Sequence, residues 1–369
     1  MSAWIVAGRR TAVAPRGGAL RRLGLTDLAV PVVQACLADA GILAGDVDEV
    51  IVANALGGGG NVARLVALAS GLPERVAGLT IDRQCAGGLD AVLLARALVE
   101  SGAAKVVVAG GVESYSRRPL RLHTDPDGGA AVAYDRPAFT PWPDRDPEMH
   151  IAAAALAQRL GIARRAQDDW AISSHIKALG GGFTREIVGL AGVSHDTFAR
   201  VLTAQTAGRA TVLASSVTTA TTAVAADAAA FVVVVSQAWA GKTALRIAGG
   251  ATRGAAPDEP GLAPVTAMTE VLQRAGLTAQ DLQMAEIMEA YAVQALACIH
   301  AMGIDPAIVN PAGGALARGH PIGASGAILA VRLFHGLAAG YGLAAIAAAG
   351  GIGTALLVER QTAQHFANI

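Results

Sequence analysis

A chain of 369 residues is long for a single hydrophobic core and predicts two or three structural units. Its 53% hydrophobic and 16% charged residues give ample apolar material to bury, which excludes a disordered polymer. Basic and acidic residues balance at 29 each, so no global field points to nucleic acid or to an anionic membrane as a partner.

Taken in chain order, the apolar part of "MSAWIVAGRRTAVAP" is too short for a signal peptide, and its arginines follow that part. "TDLAVPVVQACLADAG" (26–41) predicts a helix interrupted at Pro31. "DEVIVANAL" (48–56) and "KVVVAGG" (105–111) predict buried strands by their length and valine content. Between them, residues 87–102 predict a helix whose only charges are Asp90, Arg96 and Glu100, apolar nearly all round and therefore buried. From about 118 to 223 the texture turns rich in Pro, Asp and Arg, followed by helical segments at "EMHIAAAALAQRLG" and 166–182; this reads as a loop-rich cover. Later, 319–340 and 343–353 repeat the order of polar residue, Gly-rich turn, apolar helix and strand, which suggests a duplicated unit. Apolar runs near 230 and 345 are too short or too glycine-broken to span a membrane. The alternation predicts an α/β fold with a largely parallel sheet.

Three cysteines, without C-x-x-C or zinc-like spacing, fit a reducing, cytoplasmic setting and no metal. Cys36 and Cys298 lie inside apolar helical runs and read as inert core thiols. Cys85 differs. In "DRQCAGGLDA" (82–91) it stands beside Gly87 and Gly88 at a helix start, where freed amides lower a thiol's pKa and can bind an oxyanion. His320, in "GHPIGASG", is the one histidine in a comparable setting. On the residues alone two readings stand open: a Cys–His acyl-transfer pair, or two turns packed tightly at a domain seam.

Several ordered motifs together resemble the thiolase family over nearly the whole chain. "RRTAVAPRGGAL" is similar to the family's R-T-P-x-G-x-x-x-G-x-L opening, with Ala12 at the proline and Ala14 at the first glycine. "DRQCAGGLDAV" resembles the nucleophile segment and "AGGVESYSRRPL" the A-G-G-x-E-S-M-S-x-x-P run. "MEAYAVQALA" resembles N-E-A-F-A, and "VNPAGGALARGHPIGASGA" the G-H-P-x-G-x-S-G block. The resemblance implies two similar α/β halves, residues 1–117 with 224–240 and residues 241–369, and a loop domain at 118–223 inserted in the first. It implies an acyltransferase working on acyl-CoA or a similar carrier, with no prosthetic group and a coenzyme A thioester as substrate, assembled as a homodimer or homotetramer. Cys85 would carry the acyl group and His320 would activate it, with backbone donors at Ala349 and Gly350. Met149, Arg200, Ala223, Arg117, Arg118 and Arg121 would lie on the coenzyme side.

The family pattern fails at defined places. Ala347 stands where the second cysteine of C-x-G-G-G-x-G moves the α-proton, and Met288 replaces the asparagine of N-E-A-F-A. In the A-G-N-A-S-G run, here "TATTAV", Ala223 and Val224 replace the serine and final glycine; Arg318 replaces an aliphatic residue. The expectation is acylation at Cys85 with Claisen condensation impaired or redirected to another acceptor. The alternative is a non-catalytic scaffold or partner subunit. Glu289 and Cys298 are the next candidates for a base.

Overall fold

The computed structural model describes residues 2–57, 59–241 and 243–361. The first half of the chain forms β1 (Ala3–Thr11), α1 (Leu25–Ala40), β2 (Glu49–Ala53), α2 (Val62–Ala69), β3 (Leu79–Ile81), α3 (Gly87–Glu100) and β4 (Val106–Ser114). After α4 (Met149–Leu160) and α5 (Arg164–Gly180), β5 (Ala226–Ser236) completes it. The second half forms β6 (Leu245–Gly254), α6 (Ala263–Ala275), β7 (Leu282–Ile287), α7 (Ala292–Met302), α8 (Ile322–Gly336), β8 (Gly340–Ala348) and β9 (Ile352–Arg360).

The strands lie in the order β3-β2-β4-β5-β1 in one half and β6-β9-β8-β7 in the other. Among the described residues two pairs, Trp4↔Arg246 and Ile5↔Leu245, join them through β1 and β6. The same order of strands and helices is thus used twice: β1, β2, β4 and β5 correspond to β6, β7, β8 and β9. In each half a parallel pair, β2 with β4 or β7 with β8, is followed by an antiparallel return, β5 or β9. This confirms the echo seen in the sequence and corrects the expectation of a largely parallel sheet. Valine-rich runs report burial on both faces, not strand direction.

Strand periodicity explains the layering. Along β5, Ala228, Ala230, Val232 and Val234 pack with α3 and α8, while Ala229, Phe231, Val233 and Val235 face α1 and α2. In the second half Ala344, Ile346, Leu356 and Val358 face the same central helices, and Leu343, Ala345, Ala355 and Leu357 face α6 and α7. The result is five layers, helices alternating with half-sheets, with α3 and α8 at the centre. That position buries one side of α3, with Leu89, Ala91, Val92, Ala95 and Val99, while Leu94 and Ala97 on its other side are exposed, which corrects the all-round burial expected from the sequence.

Helix α1 runs unbroken through Pro31, correcting the expected interruption. Its buried stripe of Leu28, Ala29, Val32, Val33, Cys36 and Leu37 packs on the sheet and offsets the one lost backbone hydrogen bond. The connection between β4 and β5 spans residues 115–225, whereas the equivalent turn between β8 and β9 is residues 349–351. Among the described residues no helix is long and apolar enough to cross a membrane.

Candidate active site

Cys85 sits in a tight turn immediately before α3. Asp82 Oδ1 accepts from the Gln84 amide at 2.8 Å, and Gln84 adopts φ 50°, a left-handed conformation uncommon for a side-chain-bearing residue. The strain presents the next side chain, Cys85, at the helix start. His320 reaches the same point from the second half. Its amide donates to Val224 O at 2.7 Å, and Gly319, at φ 111°, allows the close approach to Ala226.

The two side chains meet, with His320 Nε2 3.1 Å from Cys85 Sγ. On the far side of the ring, Nδ1 lies 2.6 Å from Ser325 Oγ, which donates to Pro321 O at 2.9 Å. Ser325 has one hydroxyl proton. Spending it on the Pro321 carbonyl leaves Oγ to accept from Nδ1–H, so Nε2 is the free lone pair that faces the thiol. Burial pushes the Cys85 thiol up to about 12 and the imidazole down to about 4, so the resting pair is neutral. The backbone N–H groups of Cys85 and Ala349 act the other way, favouring negative charge at the sulfur. Ala349 itself has negative φ, and replacing a glycine there costs the backbone nothing; Gly350 and Gly351, at φ 79° and 75°, keep the residue type their conformation requires. The arrangement can deprotonate a thiol against an incoming carbonyl and bind the oxyanion that forms.

The pair opens into a cavity of about 730 Å³ roofed by the 115–225 connection. Its wall includes Ala347, Ala349, Ala223, Met149, Arg118 and Arg121, alongside Cys85 and His320. Arg121 Nη2 donates to Ala55 O at 2.7 Å, and Arg118 pairs with Asp135. The expected remainder lies elsewhere. Arg117 is exposed outside the cavity, and the Arg200 guanidinium stacks over Phe198 at 4.2 Å, also outside it. Arginines of a long loop carry no periodicity, so the sequence cannot say which of them turn inward. Gly350 stands behind Ala349 against the Phe139 carbonyl, and Met288 is buried in the central core behind the cavity wall.

Neither alternative base reaches the cavity. Glu289 is fully buried and accepts from Trp170 Nε1, Ser174 Oγ, Asn310 Nδ2 and the Leu316 amide, anchoring the loop ahead of His320. Cys298 is buried with Sγ donating to Gly261 O at 3.3 Å, and its thiol is pushed up to about 12 by burial. Arg318 is likewise buried, donating to Gly313 O at 2.6 Å. Sequence reasoning missed three residues. Ser325, on the first turn of α8, could have been found by its i+5 spacing from His320. Tyr115 and Tyr291 line the cavity where the motifs resembled in the sequence have Met and Phe.

The family model "Thiolase, N-terminal domain" matches residues 3–238 and "Thiolase, C-terminal domain" residues 242–360. The chain belongs to the thiolase family. Among curated thiolase-family relatives, the provisionally named acetyl-CoA C-acetyltransferase YhfS of Bacillus subtilis is 39% identical, the match covering 97% of this chain and 99% of the relative. The provisionally named acetyl-CoA C-acetyltransferase VraB of Staphylococcus aureus is 33% identical over 96% and 98%. A crystal structure of the Bacillus anthracis acetyl-CoA acetyltransferase superposes with a TM-score of 0.90 at 32% identity, covering 97% of this chain and 98% of that one. The Acat5 thiolase from Ascaris suum, in complex with coenzyme A, gives the same TM-score at 27% identity, over 97% and 100%. The two halves of the thiolase fold explain why Cys85 and His320, 235 residues apart, begin equivalent central helices.

Proposed function

We propose that the protein is an acyltransferase that takes an acyl group from a coenzyme A thioester onto Cys85 and delivers it to an acceptor other than acetyl-CoA. The observation that carries this reading is the 3.1 Å Cys85–His320 contact, with the far imidazole nitrogen fixed by Ser325. His320 takes the thiol proton as sulfur attacks the thioester carbon, the Cys85 and Ala349 amides hold the oxyanion, and coenzyme A leaves with the proton that His320 returns. The coenzyme A complex of the Ascaris relative supports the donor class, and Arg118 and Arg121, both in the cavity wall, are the arginines whose forked donors would meet its phosphates.

Ordinary condensation needs one more group, a base for the acceptor's α-proton. Ala347 faces the cavity with a methyl group at that position and can neither accept nor donate a proton. The test is incubation with acetyl-CoA followed by intact-protein mass measurement. A single acetyl increment is expected on the unsubstituted protein and none on Cys85→Ala. A protein that stays unmodified overturns the reading and returns the alternative, a thiolase-fold scaffold.

A further inference from the structure

One buried carboxylate at the seam between the halves has no part in the chemistry described so far. Glu113, near the end of β4, is fully buried behind the stretch of cavity wall formed by Ala55 and Leu56. The strand registers give its place in the duplicated plan. Ala53 pairs with Gly111 as Ile287 pairs with Ala345, so Asn54 corresponds to Met288 and Glu113 to Ala347. The first half thus carries a polar pair where the second carries a thioether and a methyl group. Neither member of that pair lines the cavity; both are spent on the seam. Glu113 Oε1 accepts from Asn54 Nδ2 at 2.7 Å and from the Leu56 amide at 3.2 Å. Its Oε2 accepts from the Ala55 amide at 3.1 Å and from the Gly323 amide at 3.0 Å.

The fourth donor is the one that reaches the site. Gly323 lies in the first turn of α8, just after His320, and Pro321 at the helix start offers no side-chain acceptor for the free amides there. A carboxylate from the other half supplies one, at a helix end whose dipole favours negative charge. The same carboxylate holds residues 54–56, against which α8 is packed: a Cβ at Gly323 would meet Ala53 O at 2.8 Å, and one at Gly111 would collide with Gly323 O. His320 is thus fixed from two sides, by Val224 O at its own amide and by Glu113 beyond it. All four partners of Glu113 are N–H donors. They suit a carboxylate and offer a carboxyl proton no acceptor.

We propose that Glu113 is a positioning residue, whose carboxylate caps α8 across the seam and so holds His320 against Cys85. The proposal deepens the acyltransferase reading and rests on it for the reaction, while the contact that Glu113 sets belongs to the pair itself. Protonation undoes the cap, because the acid brings an O–H donor into a site of four donors. Burial pushes Glu113 up to about 7, opposed by the Ala55, Gly323 and Leu56 amides. Burial holds Cys85 and Tyr115 up at about 12 and His320 down at about 4, so none of the three titrates there. The other charges around the seam are Asp82 of the Cys85 turn, Arg118 over the Tyr115 ring, and Arg121, which donates to Ala55 O. The support at His320 is therefore present above about 7 and lost as pH falls through that value.

The experiment measures alkylation of Cys85 by iodoacetamide, read by intact mass, in the unsubstituted protein and in Glu113→Gln at pH 8 and pH 6. Cys85→Ala controls for the other thiols. Glutamine keeps the shape but turns an N–H group toward the donors, as the protonated acid does. The unsubstituted protein is expected to react about 10²-fold faster at pH 8, the loss that misplacing a reacting group brings. That ratio is expected to narrow about tenfold at pH 6, one unit below the value for Glu113. An equal ratio at both pH values overturns the proposal. So does a variant that reacts as fast or faster at pH 8, because removing a negative charge near Cys85 without moving His320 lowers the thiol and quickens it. Where the variant does not fold, the unsubstituted protein decides alone. Its rate relative to that of 2-mercaptoethanol is expected to fall about tenfold from pH 8 to pH 6, and a constant ratio overturns the proposal. Repeating the comparison with acetyl-CoA separates the two readings. Alkylation that depends on Glu113, without acetylation of the unsubstituted protein, overturns acyl transfer and leaves the positioning role standing.

Discussion

Residue by residue, the site divides into groups that converge and positions that bring no functional group to the cavity. Cys85, His320 and the Cys85 and Ala349 amides converge, whereas Ala347 lines the cavity without a functional group and Met288 is packed into the core. Ala347→Cys therefore places a thiol in the wall of the cavity that Cys85 also lines and is expected to raise acetoacetyl-CoA formation from acetyl-CoA by ~10²–10⁴-fold, the usual contribution of a proton-transfer group. A coupled assay of product formation checks it, and an unchanged rate would show that the base is not what limits condensation. Met288→Asn is a different matter. It buries an amide among Met284, Ile346 and Ala348, and is expected to cost about 1–3 kcal/mol of stability. The Cys85–His320 pair was legible because both residues stand in glycine-flanked helix starts, a local signal. Which arginines face the cavity and which side chains fill its wall were not, since both depend on how a 111-residue connection without periodicity folds back, residues 115–225 inclusive.

At the level of elements, the glycines beside Cys85 act on helix packing. A Cβ at Gly88 would meet Ala327 N and Gly323 O, each at 2.7 Å, and one at Gly326 would collide with the Leu89 amide. At Gly87 the obstacle is Ala53 Cβ at 2.9 Å. Helices α3 and α8 thus touch backbone to backbone, and this closeness sets the Cys85–His320 distance. Gly326→Ala is expected to destabilise the protein by about 1–3 kcal/mol through overpacking. It should also slow Cys85 acylation, because it parts the helices that carry the two groups. Denaturant titration and the mass assay measure the two effects; a loss of stability with full acylation would separate the seam from the site. The glycine turns form a tight seam, and that seam brings Cys85 and His320 together. The helices were legible because 3.6-residue periodicity is local. Strand direction and the passage of α1 through Pro31 were not, because tertiary packing decides both.

On the scale of the whole molecule, a buried ionic cluster ties the three parts together. Arg10 of β1 pairs with Glu186 and Asp196 of the long connection, each at 2.7 Å, and Arg332 of α8 pairs with Glu186 at 2.6 Å. Glu286 of β7 lies 3.8 Å from Arg332, and among the described residues neither carboxylate oxygen has a hydrogen-bond partner. The two glutamates should respond to pH in opposite directions. Its two arginines hold Glu186 below the usual carboxylate range, so its stabilisation is present above the ordinary value near 4.5 and is lost as pH falls through the lowered one. Removing it leaves buried guanidinium charge uncompensated, and Glu186→Gln is expected to cost about 3–5 kcal/mol at pH 8. Glu286 is pushed up to about 7 by burial, partly opposed by Arg332 and Arg318. Between about 4.5 and 7 the folded protein keeps a proton that the unfolded chain has released, so stability falls as pH rises through that window. Glutamine mimics the protonated acid. Glu286→Gln is therefore expected to be near neutral at pH 5 and to stabilise the protein at pH 8, by at most about 3 kcal/mol. Urea unfolding of both variants at the two pH values measures these differences. Equal destabilisation by Glu286→Gln at both would mean that its carboxylate is ionised in the folded protein throughout, held by Arg332 despite the longer contact.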